Sequence, residues 1–240
     1  MKIALVSEEF KNKKTEYNLR VIQHRAEALA RNVDMISFGE GFLQGFDALT
    51  WKFEEDKHIA VSRDSDAIIF IKNIAKKYHL AISFGYFELD EDGKSIYCSY
   101  MVIDHFGQII YHYRRVSIGW KEHQKTDFHY REGHDFGVFT YLGKRISVAL
   151  CGDLWYKKNI KKVNMLEKDI ILWPLHIDYS IDMWDKEKVL YEKQSSKLNK
   201  PVLMVNNICD SSDGGACYFI NGKVISELGD ERPGFLIVDI

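Results

Sequence analysis

Short apolar runs alternate with segments of helical period along almost the whole of this 240-residue sequence, and that alternation leaves few folds open. Residues 3–6 read as a buried strand. Residues 15–31 then place Leu19, Ile22, Ala26 and Leu29 at helical spacing, with Thr15 as the expected N-cap. Residues 33–38 form a second strand candidate. Asp64 or Ser65 is placed to cap a helix whose inner face is Ala67, Ile68, Ile71, Ile74 and Ala75. Residues 80–87 and 96–104 read as strands, and His105-Phe106-Gly107-Gln108 as a hairpin turn into a strand over 109–115. Strands over 145–150 and 170–173 flank a lysine-rich segment, 157–168. A helix over 184–199 precedes a strand at 202–206, and two further strands are expected near 217–226 and 234–239. The order predicts an α/β chain with a mixed sheet and helices on its outer faces.

Composition narrows the function classes. With 33 basic against 35 acidic side chains there is no basic face to track a nucleic-acid backbone. Three prolines and 16 glycines give no linker or low-complexity tract, so residues 1–240 are expected to form a single domain. The first apolar run is too short for a signal-peptide core, and no apolar stretch is long enough for a membrane span, so the expectation is a cytoplasmic protein with no membrane partner. The four cysteines, Cys98, Cys151, Cys209 and Cys217, show no CxxC spacing. Free thiols are expected, with no metal and no cofactor.

Three segments carry residues suited to chemistry. In the first, an apolar strand stops abruptly at Cys151, and Gly152 permits a tight turn with a backbone N–H directed at a ligand. The second places Glu40 between glycines and aromatic residues just after a strand, where burial suits a carboxylate to general-base work. The third, residues 111–122, puts Arg114 and Arg115 at a strand end, with Lys121 and Glu122 beyond. Read singly, each is also what an ordinary buried thiol, turn carboxylate or surface charge would give.

Taken in order, the three resemble the nitrilase superfamily of carbon–nitrogen hydrolases. Glu40 through Gly45 and Phe46 match the family's Glu segment, and Cys151-Gly152-Asp153-Leu154-Trp155 match its Cys-x-Asp-x-aromatic segment. Smaller echoes run along nearly the whole chain: Gly85 with Tyr97-Cys98-Ser99, Asp104 to Gly107, Gly143 to Ile146, Trp173-Pro174, Asn206, and Gly214-Gly215-Ala216. The resemblance implies a four-layer α-β-β-α sandwich, commonly dimerised through helices near the nucleophile, so a homodimer is expected. It also implies attack by a cysteine on a small amide or carbamoyl compound, amidase chemistry being commoner than nitrilase chemistry.

By position, Cys151 is the implied nucleophile and Glu40 its base. Glu122 matches a second glutamate, Gly152 supplies an oxyanion donor, and Trp155 and His176 flank the substrate. A catalytic Cys151 is then expected to react with alkylating agents faster than the other three thiols. One departure bears on activity: the family lysine is replaced by Arg115. Either the guanidinium, or Lys121, serves in its place, or the chain is a weakened member acting as a ligand-binding or scaffold protein.

Overall fold

The computed structural model describes residues 1–228 and 233–240. The first half of the chain builds one sheet and its cover: β1 (Lys2–Ser7), α1 (Thr15–Leu29), β2 (Met35–Ser37), α2 (Phe53–Asp56), α3 (Asp66–Tyr78), β3 (Ala81–Leu89), β4 (Ile96–Ile103), β5 (Ile109–Arg114) and β6 (Tyr130–Arg131). The second half builds another: β7 (Val138–Tyr141), β8 (Lys144–Val148), α4 (Lys157–Met165), β9 (Ile170–Leu175), α5 (Ile181–Ser195), β10 (Val202–Cys209), β11 (Ser212–Ile220) and β12 (Lys223–Glu227). The last strand, β13 (Gly234–Asp239), returns to the first sheet.

The first sheet runs β13-β1-β2-β3-β4-β5, with β6 paired to β4; the second runs β12-β11-β10-β9-β8-β7. Each has a parallel centre, β1-β2-β3 in one and β8-β9-β10 in the other, flanked by antiparallel neighbours. Strand alternation explains the layering. Ile3, Leu5, Met35, Tyr100 and Val102 point into the large core shared with the second sheet. Their neighbours Ala4, Val6, Ile36, Met101 and Ile103 point into a separate core under α1 and α3. The result is the expected α-β-β-α order, now with two sheets in place of the single mixed sheet that the alternation alone suggests.

Several boundaries shift for local reasons. Thr15 opens α1 rather than capping it; Lys14 holds the cap position and makes no side-chain cap bond. Residues 157–165 are a helix despite their lysines, because Ile160 and Val163 are buried one turn apart and buried Asn159 donates Nδ2 to the Asp153 carbonyl at 3.1 Å. The strand expected over 217–226 is a hairpin, β11 and β12, broken at Asn221-Gly222, both at positive φ. The strand ending at Cys151 stops earlier, at Val148, and Cys151–Trp155 coil into one turn of 3-10 helix.

A buried carboxylate ties β3 to its neighbours. Fully buried Glu88 accepts from Ser99 Oγ at 2.6 Å and from Arg114 Nε and Nη2 at 2.9 and 2.7 Å, and it pairs with His112 Nε2 at 2.8 Å. Burial by itself would raise this carboxyl, but His112, Arg114 and Ser99 outweigh it and hold the pKa at about 2. A folded-state pKa below the unfolded one adds stability that is complete above the ordinary carboxylate range. That stability drains away as the pH falls toward 2, and its full size is roughly 3 kcal/mol. Urea midpoints measured on either side of about pH 4 should therefore fall more on acidification for the native chain than for Glu88→Gln.

Candidate active site

Glu40, Arg115 and Cys151 each lie just past a strand end, and the facing of the two sheets brings them together. Past β2 the chain turns through Gly39 and Gly41. No side chain fits at Gly39, where a Cβ would fall 2.4 Å from Asn207 Oδ1 and 2.6 Å from the Leu175 carbonyl. That close approach lets β10 hold the turn: Asn207 accepts from the Gly39 amide at 3.1 Å and donates to the Glu40 carbonyl at 2.6 Å. The Glu40 amide donates to the Leu175 carbonyl of β9. Glu40 is thus fastened by its backbone to the sheet that carries Cys151, while its side chain is wholly buried.

Arg115 follows β5 and is 3% exposed. Its Nη1 donates to Glu40 Oε1 at 2.7 Å and its Nε to Ser117 Oγ at 2.8 Å. A second thiol joins the same oxygen, Cys98 Sγ donating to Glu40 Oε1 at 3.2 Å. The other carboxylate oxygen, Oε2, is buried and has no hydrogen-bond partner among the described residues. Burial opposes the charge on Arg115, yet the Glu40 carboxylate beside it holds the guanidinium protonated.

Cys151 opens its 3-10 turn at φ +35°, a conformation that L residues adopt only at a cost and that the surroundings must enforce. Trp173 Nε1 donates to the Cys151 carbonyl at 2.8 Å, and Cys151 Sγ faces the His176 carbonyl at 3.5 Å. Burial and the Glu40 carboxylate push the thiol up to about 12, against the opposing pull of Arg115. The resting sulfur is therefore a thiol. Attack by this sulfur thus needs a proton acceptor at the moment of bond formation.

Asp153 clamps the two strand ends. It is buried, and its carboxylate accepts from Tyr113 Oη (2.6 Å), the Ser117 amide (2.7 Å), the Leu150 amide (2.8 Å) and the Val116 amide (3.1 Å). Burial raises its pKa, with Arg115 and these donors pulling the other way. Gly152 has a matching steric reason: a Cβ there would fall 2.4 Å from Arg115 Nη2 and 3.2 Å from Ser117 Oγ. Gly152→Ala should therefore push the guanidinium off its seat. Activity is expected to fall at least about tenfold, with a stability loss on the order of 1–2 kcal/mol, readable by kinetics and urea melts.

The carbon-nitrogen hydrolase family model matches residues 2–240 of this sequence. The chain belongs to the carbon-nitrogen hydrolase family. Its fold matches that of an amidase from Nesterenkonia sp. AN1 with a TM-score of 0.83, at 18% identity and over 100% of this chain and 90% of that one. A glutamine-dependent NAD+ synthetase from Acinetobacter baumannii gives the same TM-score at 21% identity, over 98% of this chain and 44% of that one. Among curated proteins, the glutamine-dependent NAD(+) synthetase of Acinetobacter baylyi is 20% identical over 90% of this chain. The citrullinase of Francisella tularensis is 25% identical over 70% of it. This carbon-nitrogen hydrolase chain spans only 39% of the former relative and 61% of the latter.

Of the other site residues expected of this hydrolase, Glu122 and Lys121 stand outside this cluster, whereas Trp155 and His176 border it. Glu122 does not join the cluster. It is exposed, accepts from Trp51 Nε1 at 3.0 Å and pairs with Lys125 at 2.7 Å, because residues 116–126 leave β5 as an irregular loop whose spacing sets no direction. Lys121 pairs with Glu132 and donates to the Tyr130 carbonyl, so among the described residues it is Arg115 that occupies the cationic position beside Glu40. Trp155, 43% exposed, packs against Trp173 and Tyr191 on the α5 side. His176 is buried and stacked on Phe46 at 4.4 Å, and burial lowers its pKa. Cys98, Ser117, Asp153 and Asn207 went unassigned in the sequence. Asp153 lay in the quoted cysteine segment and Asn207 beside Asn206, whereas nothing marked the Cys98 contact with Glu40. None of the four cysteines is in a disulfide, and no helix among the described residues is long and apolar enough to cross a membrane.

Proposed function

We propose that this chain is a cysteine-dependent hydrolase of a small amide or carbamoyl compound, with residues 1–240 acting as one catalytic unit. The observation that carries the reading is the division of labour on Glu40. Oε1 is taken by Arg115 and Cys98, while Oε2 is buried without a partner and available to receive a proton. In the proposed sequence Cys151 Sγ gives its proton to Glu40 as the S–C bond forms. The tetrahedral oxyanion is met by the Arg115 guanidinium and the Gly152 N–H. Glu40 returns the proton to the departing ammonia or amine, leaving a thioester. Glu40 then deprotonates water, which attacks the thioester carbon and releases the acid and the thiol.

Arg115 is seated as a working group rather than as a lesion, since it makes the bond to Glu40 that a charge stabiliser needs and is buried with it. The names of the amidase and citrullinase relatives support offering simple amides and ureido acids first. Exposed Trp155, Tyr156, Met183 and Leu190, on and beside α5, support a homodimer through that face. The test is ammonia release across simple amides, ureido acids and nitriles, with Cys151→Ala as control. No release from any of them by folded protein would overturn the reading.

A further inference from the structure

The C-terminal ends of β9 and β10 lie side by side in parallel, and they bring together three metal-binding side chains that the mechanism above does not use. A ring nitrogen of His176, a carboxylate oxygen of Asp178 and the sulfur of Cys209 all lie within 4.8 Å of one another. We infer that these three residues form a site for a borderline-soft divalent cation, of which Zn2+ is the representative.

Four observations support it. The donor set, one imidazole, one carboxylate and one thiolate, is the mixture that a zinc-like ion prefers over magnesium or calcium. His176 Nε2 stands 3.4 Å from Asp178 Oδ1, long for a charge-assisted hydrogen bond. It is close to the roughly 3.3 Å edge expected between two ligands about 2.0–2.1 Å from a tetrahedral ion. The imidazole is held by packing: its ring is buried, stacked on Phe46 and in tilted contact with Phe10, which keeps Nε2 directed at Asp178. Access is open on the Cys209 side: this residue lines a groove of about 580 Å³ whose wall carries the carboxylates of Glu9, Asp47 and Asp210 against one cation, Lys11.

Sequence spacing gives no hint of this site, because the donors come from two strand ends rather than from one local motif. Ser211 Oγ donates to Asp178 at 2.7 Å and so sets the direction of that carboxylate, while standing 3.4 Å from Cys209 Sγ. Ligation would fix the segment whose first carbonyl faces Cys151 Sγ. That consequence rests on the role proposed for Cys151, while the metal site itself does not.

The test is therefore made on Cys151→Ala protein, which removes the competing thiol and any dependence on turnover. Isothermal titration with Zn2+ should show one site per chain. Cys209→Ser and Asp178→Asn, each added to that background, should weaken it at least about tenfold. Co2+ should give a thiolate-to-metal charge-transfer band that disappears in the Cys209→Ser protein. Asp178 is exposed, so its substitution by asparagine should cost little stability, checked by a urea melt, and keeps the test decisive should the cysteine variant fold poorly. Absence of binding, binding unchanged in both variants, or a cobalt spectrum without a thiolate band would overturn the assignment.

Discussion

Cys151→Ala should abolish turnover, by a factor on the order of 10⁴ or more, while the protein stays folded. The loss is expected to be this large because no other group in the cluster can form the covalent intermediate. Cys98 is fully buried, and burial together with Glu40 raises its thiol far above the ordinary range. The stability cost should be small, about 1 kcal/mol, since the volume removed is one sulfur atom and its bond to the His176 carbonyl is long, at 3.5 Å. Glu40→Gln should give a loss of similar order by another route. It keeps the shape of the side chain but cannot take a proton from a thiol whose pKa stands near 12. Steady-state ammonia release and urea melts on the two variants separate chemistry from folding. Residual turnover in Cys151→Ala within tenfold of the native chain would place the nucleophile elsewhere.

The parts of the fold that could be read from the sequence are those in which local pattern and tertiary burial agree. Residues 3–6, 67–75 and 170–173 are apolar at the spacing of their elements, and each is buried as that spacing requires. Reading failed where the pattern was thin or where a signal was present but outweighed. The helix over 157–165 has two buried aliphatic residues among four lysines, so its faces are well separated but too few apolar positions mark the buried one. In residues 217–226 the Asn221-Gly222 pair was a hairpin signal set inside a run of strand-forming residues, and the turn prevailed.

The site divides in the same way. Cys151 and Glu40 are singled out together through the family resemblance; each lies just beyond a strand end, but read singly neither stands out from an ordinary buried thiol or turn carboxylate. Asn207 fixes Glu40 and Asp153 joins β5 to β8 through hydrogen bonds that cross between distant segments, and no spacing along the chain encodes such a bond. Glu122 failed for the converse reason: it has the right distance along the chain from Arg115, but an irregular loop lies between them.

Arg115→Ala should damage both stability and rate, and the comparison with Arg115→Lys separates the two. Removing the guanidinium leaves Glu40 buried and without its cation, a change worth roughly 3–5 kcal/mol against folding. It also removes a donor from the position proposed for the oxyanion, which should lower the rate about 10²–10³-fold in the protein that remains folded. Lysine at this position could still reach Glu40 Oε1, but as a point charge it could not also hold Ser117 Oγ and lie flat against Gly152. Arg115→Lys should therefore recover most of the stability. Its rate should stand between that of Arg115→Ala and the native chain, or exceed the native rate if an ammonium is the better partner for the oxyanion. Both variants should be measured by urea melts and by kcat/KM on the same substrate. An Arg115→Ala protein as unstable as expected, yet with undiminished kcat/KM, would confine the guanidinium to holding Glu40 and leave the Gly152 N–H as the oxyanion donor.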